Sequence, residues 1–184
     1  IMTAVVIPYL PEQEPGEAAL HVILAFFSPI LLAAALVAVD QVVKYLVRAG
    51  IPLHTAVDFL PGLDLTYVQN TGAAFSLFSE HTWLLTLISL VMSVLLLMAL
   101  VRGFFRHPFG RISLALLLAG AVGNLIDRAF QGYVVDMFHV LFMEFAVFNV
   151  ADICVVVGGI AAAVYYVWGY ERLEKGLHPQ EHRS

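Results

Sequence analysis

Charge is scarce in this sequence. Only 12% of the 184 residues are Asp, Glu, Lys or Arg, whereas 61% are hydrophobic and the mean hydropathy is +0.88. Soluble globular domains carry about 25% charged residues. The composition therefore excludes an ordinary soluble domain and predicts a membrane protein. The net charge of −5 shows no basic excess, so we expect no nucleic-acid partner.

Cysteine and the common catalytic motifs are also lacking. The one cysteine, Cys154, excludes an internal disulfide framework. None of the patterns HExxH, GxSxG, GxxxxGK[ST] or GxGxxG occurs. His178 and His182 stand in HPQEH, where the enclosed proline favours a flexible polar tail over a zinc helix. Metal-dependent and nucleotide-dependent chemistries are therefore poorly supported by these motifs, and we expect no metal ion.

What the chain does have is four long apolar runs, at about 22–39, 83–101, 112–126 and 150–168. A helix needs about 20 apolar residues to cross a bilayer. The runs predict a single domain over 22–170, an all-α membrane protein with four transmembrane helices, flanked by tails at 1–21 and 171–184. The first tail is acidic and lacks Lys and Arg, so we expect the first run to be a permanent span and not a cleaved signal.

Basic residues between the second and third runs indicate the orientation. Arg102, Arg106 and Arg111 lie there without an acidic residue, and such loops stay in the cytoplasm. With four spans, both termini are then cytoplasmic. The segments after the first and third runs lie outside.

The first outer segment, about 49–81, contains LDLTYVQ between turn signals. This alternation predicts a strand and hence a small extracytoplasmic β element on the membrane surface. A disordered connector is the alternative.

Polar side chains in or beside the predicted spans share one feature, their position at the outer ends. Charged groups at membrane depth are costly and usually mark a site or pair with one another. The set comprises Asp40, Lys44, Asn70, Asn124, Asp127, Arg128, Asp136, Asn149 and Asp152.

Several of these residues also have a purely structural interpretation. Asp40 and Lys44 have the i, i+4 spacing of a helix-surface ion pair. Asn149 and Asp152 have the spacing of an N-cap and its N3 partner. Arg128 has the length to reach lipid headgroups. From spacing alone these alternatives stay open.

Asp136 has the weakest structural interpretation. It lies in YVVDMFHV between the third and fourth spans, where His139 is the one nearby candidate cation, and a solvated loop position is the alternative. Gathered with the acids and amides of the neighbouring spans, it predicts an aspartate pair with polar support. Two carboxylates in a low-dielectric site cannot both ionise, so one acts as an acid and the other activates water. This chemistry is typical of aspartic proteolysis.

Five segments in this order resemble the motifs of the type II, or lipoprotein, signal peptidases, a family of aspartic membrane peptidases. They are DQVVKYLV at 40–47, QNTGAAFSLF at 69–78, GNLIDR at 123–128, GYVVDMF at 132–138 and FNVADICVVVGG at 148–159.

The resemblance implies an aspartic endopeptidase of the bacterial cytoplasmic (inner) membrane. Such an enzyme removes the signal peptide from prolipoproteins by cutting before a cysteine that carries diacylglycerol. It has four transmembrane helices and an external β-cradle, and it requires no cofactor. We expect a monomer whose partners are the lipidated prolipoprotein and membrane lipids. An ion or proton transporter that uses intramembrane carboxylates is the alternative.

The resemblance also assigns residues. It implies that Asp136 and Asp152 form the catalytic dyad at the outer face, and that Asp127 supports the site without being a catalyst. The full set implied for substrate binding or site support is Asp40, Lys44, Asn70, Gly72, Asn124, Asp127, Arg128, Asn149 and Ala151.

Overall fold

The computed structural model describes the backbone of residues 15–72 and 82–174, and the side chains of 27–72 and 82–169. The helices in these residues are α1 (Pro15–Gly50), α2 (Thr82–Val101), α3 (Pro108–Gln131) and α4 (Val150–Val164), and a π-helical segment, Tyr165–Glu174, continues α4. Helices α1 and α3 extend beyond the predicted runs at both ends. Most of each predicted tail, and the HPQEH segment, lies outside the described residues.

Four segments of the described residues are long and apolar enough to cross a membrane, at 27–50, 82–101, 108–131 and 150–169, the last of which continues from α4 into the π-helical segment. The prediction of four spans is confirmed. On α2 the buried side chains are Ser93 and Leu100, while most of its Leu, Val and Ile side chains face outward. An apolar exterior of this kind suits lipid.

Helix α3 lies at the centre of the bundle. Its apolar window is 44% buried, against 17–22% for the other three helices. Glycines allow the close approach to α4, because a Cβ on Gly120 would lie 2.4 Å from the carbonyl oxygen of Ala151. The ends of α1 and α3 and the start of α4 therefore meet at one end of the bundle.

A three-stranded antiparallel sheet lies at that end. It consists of β1 (Ala56–Leu60), β2 (Leu63–Asn70) and β3 (Val134–Val140), in the order β1-β2-β3. Gly62, with a φ of +82°, makes the turn between β1 and β2. The predicted β element in the first outer segment is confirmed.

The position of Asp136 corrects the expectation of a loop. It lies within β3, where it is paired with Val68 of β2. The segment VVDMFHV becomes a strand because β2 offers it a hydrogen-bonding edge. Val135 and Met137 of β3 pack with Tyr67 against Val47 of α1, which seats the sheet on the helices.

Candidate active site

Asp136 and Asp152 come from different elements and meet at one asparagine. Asp136 lies on β3 and is 2% exposed, whereas Asp152 lies in the first turn of α4 and is half-buried. The side-chain amide of Asn149 donates to Oδ1 of Asp136 over 2.8 Å. Its backbone N–H donates to Oδ2 of Asp152 over 3.1 Å. Asn149 therefore holds both carboxylates at the start of α4.

The second oxygen of each carboxylate also accepts an amide N–H. Asn70 donates to Oδ2 of Asp136 over 2.9 Å, and Asn124 donates to Oδ1 of Asp152 over 2.8 Å. All four carboxylate oxygens thus have a hydrogen-bond donor. Residues from β2, α3 and α4 together orient the pair.

Backbone N–H groups fix the orientation of two of these amides. The Oδ1 atom of Asn70 accepts the N–H of Gly72 over 2.9 Å, and Oδ1 of Asn149 accepts the N–H of Asp152 over 2.9 Å. A backbone N–H only donates, so each side-chain oxygen must face it. The NH2 groups are thereby directed to Asp136.

Lys44 fixes the orientation of the third amide, that of Asn124. Its Nζ donates to Oδ1 of Asn124 over 3.1 Å, and Asn149 donates to the same oxygen over 3.1 Å. An ammonium only donates, so the NH2 group of Asn124 is turned toward Asp152.

Lys44 also forms a buried ion cluster with two carboxylates. Its Nζ lies 2.9 Å from Oδ2 of Asp40 and 3.0 Å from Oδ2 of Asp127. The three side chains are 1%, 1% and 0% exposed, respectively. The i, i+4 ion pair is present, but it belongs to a larger buried cluster and not to the helix surface.

The two acids of this cluster hold the backbone beside the aspartate pair. Oδ1 of Asp40 accepts the N–H of Ala151 over 2.8 Å, and Ala151 directly precedes Asp152. Oδ2 of Asp127 accepts the N–H of Val135 over 3.0 Å. Because Val135 directly precedes Asp136, the ion cluster positions the local backbone of both aspartates.

The remaining structural interpretations have clear outcomes. Asn149 and Asp152 do form the capping box, so capping and site contacts coexist. Arg128 donates to the carbonyl oxygen of Gly72 over 3.2 Å and contacts Ser89 Oγ over 3.4 Å. Its guanidinium thus binds within the protein and joins α3 to the end of β2.

Gln41 also belongs to the buried ion cluster, although the sequence analysis did not assign it to the site. Its Nε2 contacts Oδ2 of Asp40 at 3.2 Å, the carbonyl oxygen of Gly123 at 3.2 Å and Oδ1 of Asp127 at 3.1 Å. It ties the ion cluster to the backbone of α3. The available signal was an amide inside the first motif, directly after Asp40.

The surroundings alter the acidity of Asp136. Burial raises the pKa of this carboxyl from 3.8 to about 6, and the nearby charge of Asp152 acts in the same direction. The amides of Asn70 and Asn149 oppose the rise. The group therefore binds or releases a proton near neutral pH.

Within the part of the chain whose side chains the structure describes, histidine, cysteine and carboxylate groups form no metal-binding cluster. Within residues 27–72 and 82–169, no three of them are arranged to hold a metal ion. In these residues, the groups placed to act chemically are the aspartate pair and the amides bonded to it.

The fold and site thus define a multi-pass membrane protein with a pair of acids at one end of its helical bundle. A family model described as signal peptidase (SPase) II matches residues 32–168. The chain belongs to the signal peptidase II family and is a peptidase of the bacterial membrane.

Relatives and solved structures agree with this assignment. The chain is 40% identical over 147 residues to the lipoprotein signal peptidase of Enterococcus faecalis, covering 79% of this chain and 91% of the relative. It is 43% identical over 132 residues to that of Symbiobacterium thermophilum, covering 70% and 87%. A bacterial membrane enzyme solved by the in meso method at 2.3 Å superposes with a TM-score of 0.70 at 27% identity, covering 85% of this chain and 93% of that one.

Proposed function

We propose that this chain is an aspartic endopeptidase that removes the signal peptide from prolipoproteins, with Asp136 and Asp152 as its catalytic dyad. It cuts on the N-terminal side of the diacylglyceryl-modified cysteine and works as a monomer. The observation that carries the proposal is the contact of Asn149 with both carboxylates. An acid and a base held on either side of one asparagine suit water-dependent peptide hydrolysis.

The location of the dyad supports a lipidated substrate. Arg102, Arg106 and Arg111 lie between α2 and α3 or at the start of α3, at the opposite end of the bundle from the site. By the positive-inside rule that end is cytoplasmic and the dyad faces outward. A diacylglyceryl group anchors the scissile bond at headgroup depth. The ends of α1 and α3 are ends of membrane spans, so we expect them at a similar depth.

The transporter alternative has less support. A conducting path requires polar groups along the spans or at the bilayer midplane. In the described residues of α2, the side-chain hydroxyls of Thr86 and Ser93 bond to helix carbonyls one turn earlier. The charged cluster stays at one end of the bundle.

The test is cleavage of a diacylglyceryl-modified lipoprotein precursor by the purified full chain, followed on a gel. We expect Asp136→Asn and Asp152→Asn each to lower the rate by about 10³-fold or more, because each removes a group that transfers a proton. Asp58→Asn changes an exposed acid on β1 and serves as the matched control with wild-type activity.

Two further arms define the substrate and the chemistry. The unlipidated precursor is expected to be cut far more slowly. EDTA is expected to leave the rate unchanged, since the dyad itself activates water. Failure of the wild type to cleave, or normal cleavage by both Asn variants, contradicts the proposal.

A further inference from the structure

We propose that Asp136 carries the shared proton of the resting dyad and acts as the acid, whereas Asp152 is the ionised partner that activates water. The assignment rests on the proposed function and adds a distinct role for each carboxylate. It is argued from burial, from the elements that carry the two groups and from the charges around them.

Hydrogen-bond donors do not distinguish the two acids. Asp136 accepts from Asn70 and Asn149, and Asp152 accepts from Asn124 and the backbone of Asn149. Each therefore receives two N–H groups, which stabilise a carboxylate to a similar extent. A difference in proton affinity between Asp136 and Asp152 must therefore come from other features.

Burial is the first of these features. Asp136 is 2% exposed, while Asp152 is half-buried at the start of α4. Ionising a group that has lost its water is unfavourable, so a single proton shared by the pair resides on the more buried acid. The rise in the pKa of Asp136 to about 6, caused first by burial, has the same direction.

The supporting element is the second feature. Asp152 is the N3 residue of α4, where the partial positive charge of the helix N-terminus favours an anion. Asp136 lies in the middle of a strand, and strands carry little net dipole. The backbone thus favours the charge on Asp152.

The charged neighbours are the third feature. The charge of Arg128 acts most strongly on Asp152 and less on Asp136. Lys44 donates to the side-chain oxygen of Asn124, and the NH2 group of Asn124 donates to Asp152. The charge of Lys44 also acts on Asp136. The charged and hydrogen-bonding groups around Asp136 are Lys44 and Asp40 on α1, Asn70 on β2, Asp127, Asn124 and Arg128 on α3, and Asn149 and Asp152 on α4.

The resulting hydrolysis balances. Asp152 takes a proton from water, the water oxygen bonds to the scissile carbonyl carbon, and Asp136 gives its proton to the carbonyl oxygen. The gem-diol then collapses as Asp152 returns a proton to the leaving nitrogen, the C–N bond breaks and one hydroxyl proton goes to Asp136. A carboxylic acid and an amine leave, and the resting protonation is restored.

The test uses two amides, Asn70 and Asn124, each of which contacts only one of the two acids. In a bell-shaped profile of kcat/KM against pH, the acid limb follows ionisation of the base and the alkaline limb follows loss of the acid's proton. Asn70→Ala removes a donor from Asp136 and is expected to move the alkaline limb up by about one pH unit. Asn124→Ala removes a donor from Asp152 and is expected to move the acid limb up by a similar amount.

Gln69→Ala is the matched control, since Gln69 neighbours Asn70 on β2 but donates to the hydroxyl of Tyr67. It should leave both limbs in place. Movement of the acid limb by Asn70→Ala and of the alkaline limb by Asn124→Ala overturns the assignment and leaves the proposed function standing. Unmoved limbs in both variants also overturn it, whereas normal cleavage by both dyad variants refutes the proposed function itself.

An infrared titration of the resting enzyme keeps the test independent of activity. A protonated carboxyl band that titrates near pH 6 should be present in the wild type and absent from Asp136→Asn. A band that instead survives in Asp136→Asn and disappears in Asp152→Asn reverses the roles.

Discussion

The side-chain amide of Asn149 lies 2.8 Å from Oδ1 of Asp136, across the junction between α4 and the sheet. The same residue is the N-cap of α4. One asparagine thus begins a transmembrane helix and holds a buried acid of the site. Stability and activity are coupled at this position, and substitutions can separate them.

Asn149→Ser keeps a capping oxygen but is too short to donate to Asp136. We expect the free energy of unfolding in detergent to stay within about 1 kcal/mol of the wild type, while kcat/KM falls about 10- to 100-fold because the hydrogen bond that orients Asp136 is lost. Asn149→Ala should lose the same activity and also the cap. Equal activity of Asn149→Ser and the wild type would contradict the contact with Asp136.

Lys44 is the ammonium partner of two buried carboxylates, those of Asp40 and Asp127. Lys44→Met leaves Asp40 and Asp127 unpaired, and we expect it to destabilise the protein by about 3–5 kcal/mol. Arg48→Met makes the same charge change one turn later at an exposed position, and its effect should stay within about 0.5 kcal/mol. Denaturant unfolding in micelles measures both, and a similar loss in the two variants would refute the buried cluster.

Gly123 allows Asp40 to approach α3. A Cβ at this position would lie 2.7 Å from Oδ2 of Asp40 and 3.1 Å from Cβ of Ala151. The carboxylate has no room to move, because Lys44 and the N–H of Ala151 hold it. Gly123→Ala should therefore lower both the melting temperature and the rate of cleavage.

Gly159→Ala is the control for that substitution. Its Cβ would meet Leu117 Cδ2 at 4.0 Å, an ordinary contact. Alanine is the better helix former by about 1 kcal/mol, so this variant should be as stable as the wild type or slightly more stable. A loss in Gly159→Ala equal to that in Gly123→Ala would argue against a specific clash at Asp40.

The pH dependence of stability follows from the pKa of Asp136. The folded state raises this pKa from 3.8 to about 6, so it binds the proton more tightly than the unfolded state does. Stability from this group is complete at low pH and is lost as the pH rises from about 4 to 6, by about 3 kcal/mol. The melting temperature should decline more over this range in the wild type than in Asp136→Asn. An identical decline in the two proteins would contradict the shift.

Much of the architecture can be predicted from single segments. The four apolar runs predict the helices because each must satisfy its own backbone in lipid, and LDLTYVQ predicts β2 from its alternation. The capping box of Asn149 and Asp152 and the ion pair of Asp40 and Lys44 are also local, since their spacing on one helix places them together.

The strand β3 and the role of Asn149 could not be predicted in this way. Asp136 is bonded to Asn70, which lies 66 positions earlier, and Lys44 is bonded to Asn124, 80 positions later. No local periodicity of the sequence indicates such contacts, because they depend on how distant segments of the chain return to the same end of the bundle. For the same reason the sequence around Gln41 does not indicate its contacts with Gly123 and Asp127.

The amino-acid sequence by itself determined that the chain crosses a membrane four times and that its acids and amides collect at one end of the spans, because hydrophobic length and the high energy of charge in lipid are properties of each segment. The tertiary structure alone decided that Asp136 lies on a strand beside Asn149, and that Asp40 and Asp127 hold the backbone next to Asp152 and Asp136. Hydrogen bonds are short and directional, so partners distant in the chain are set only when helices and sheet pack together.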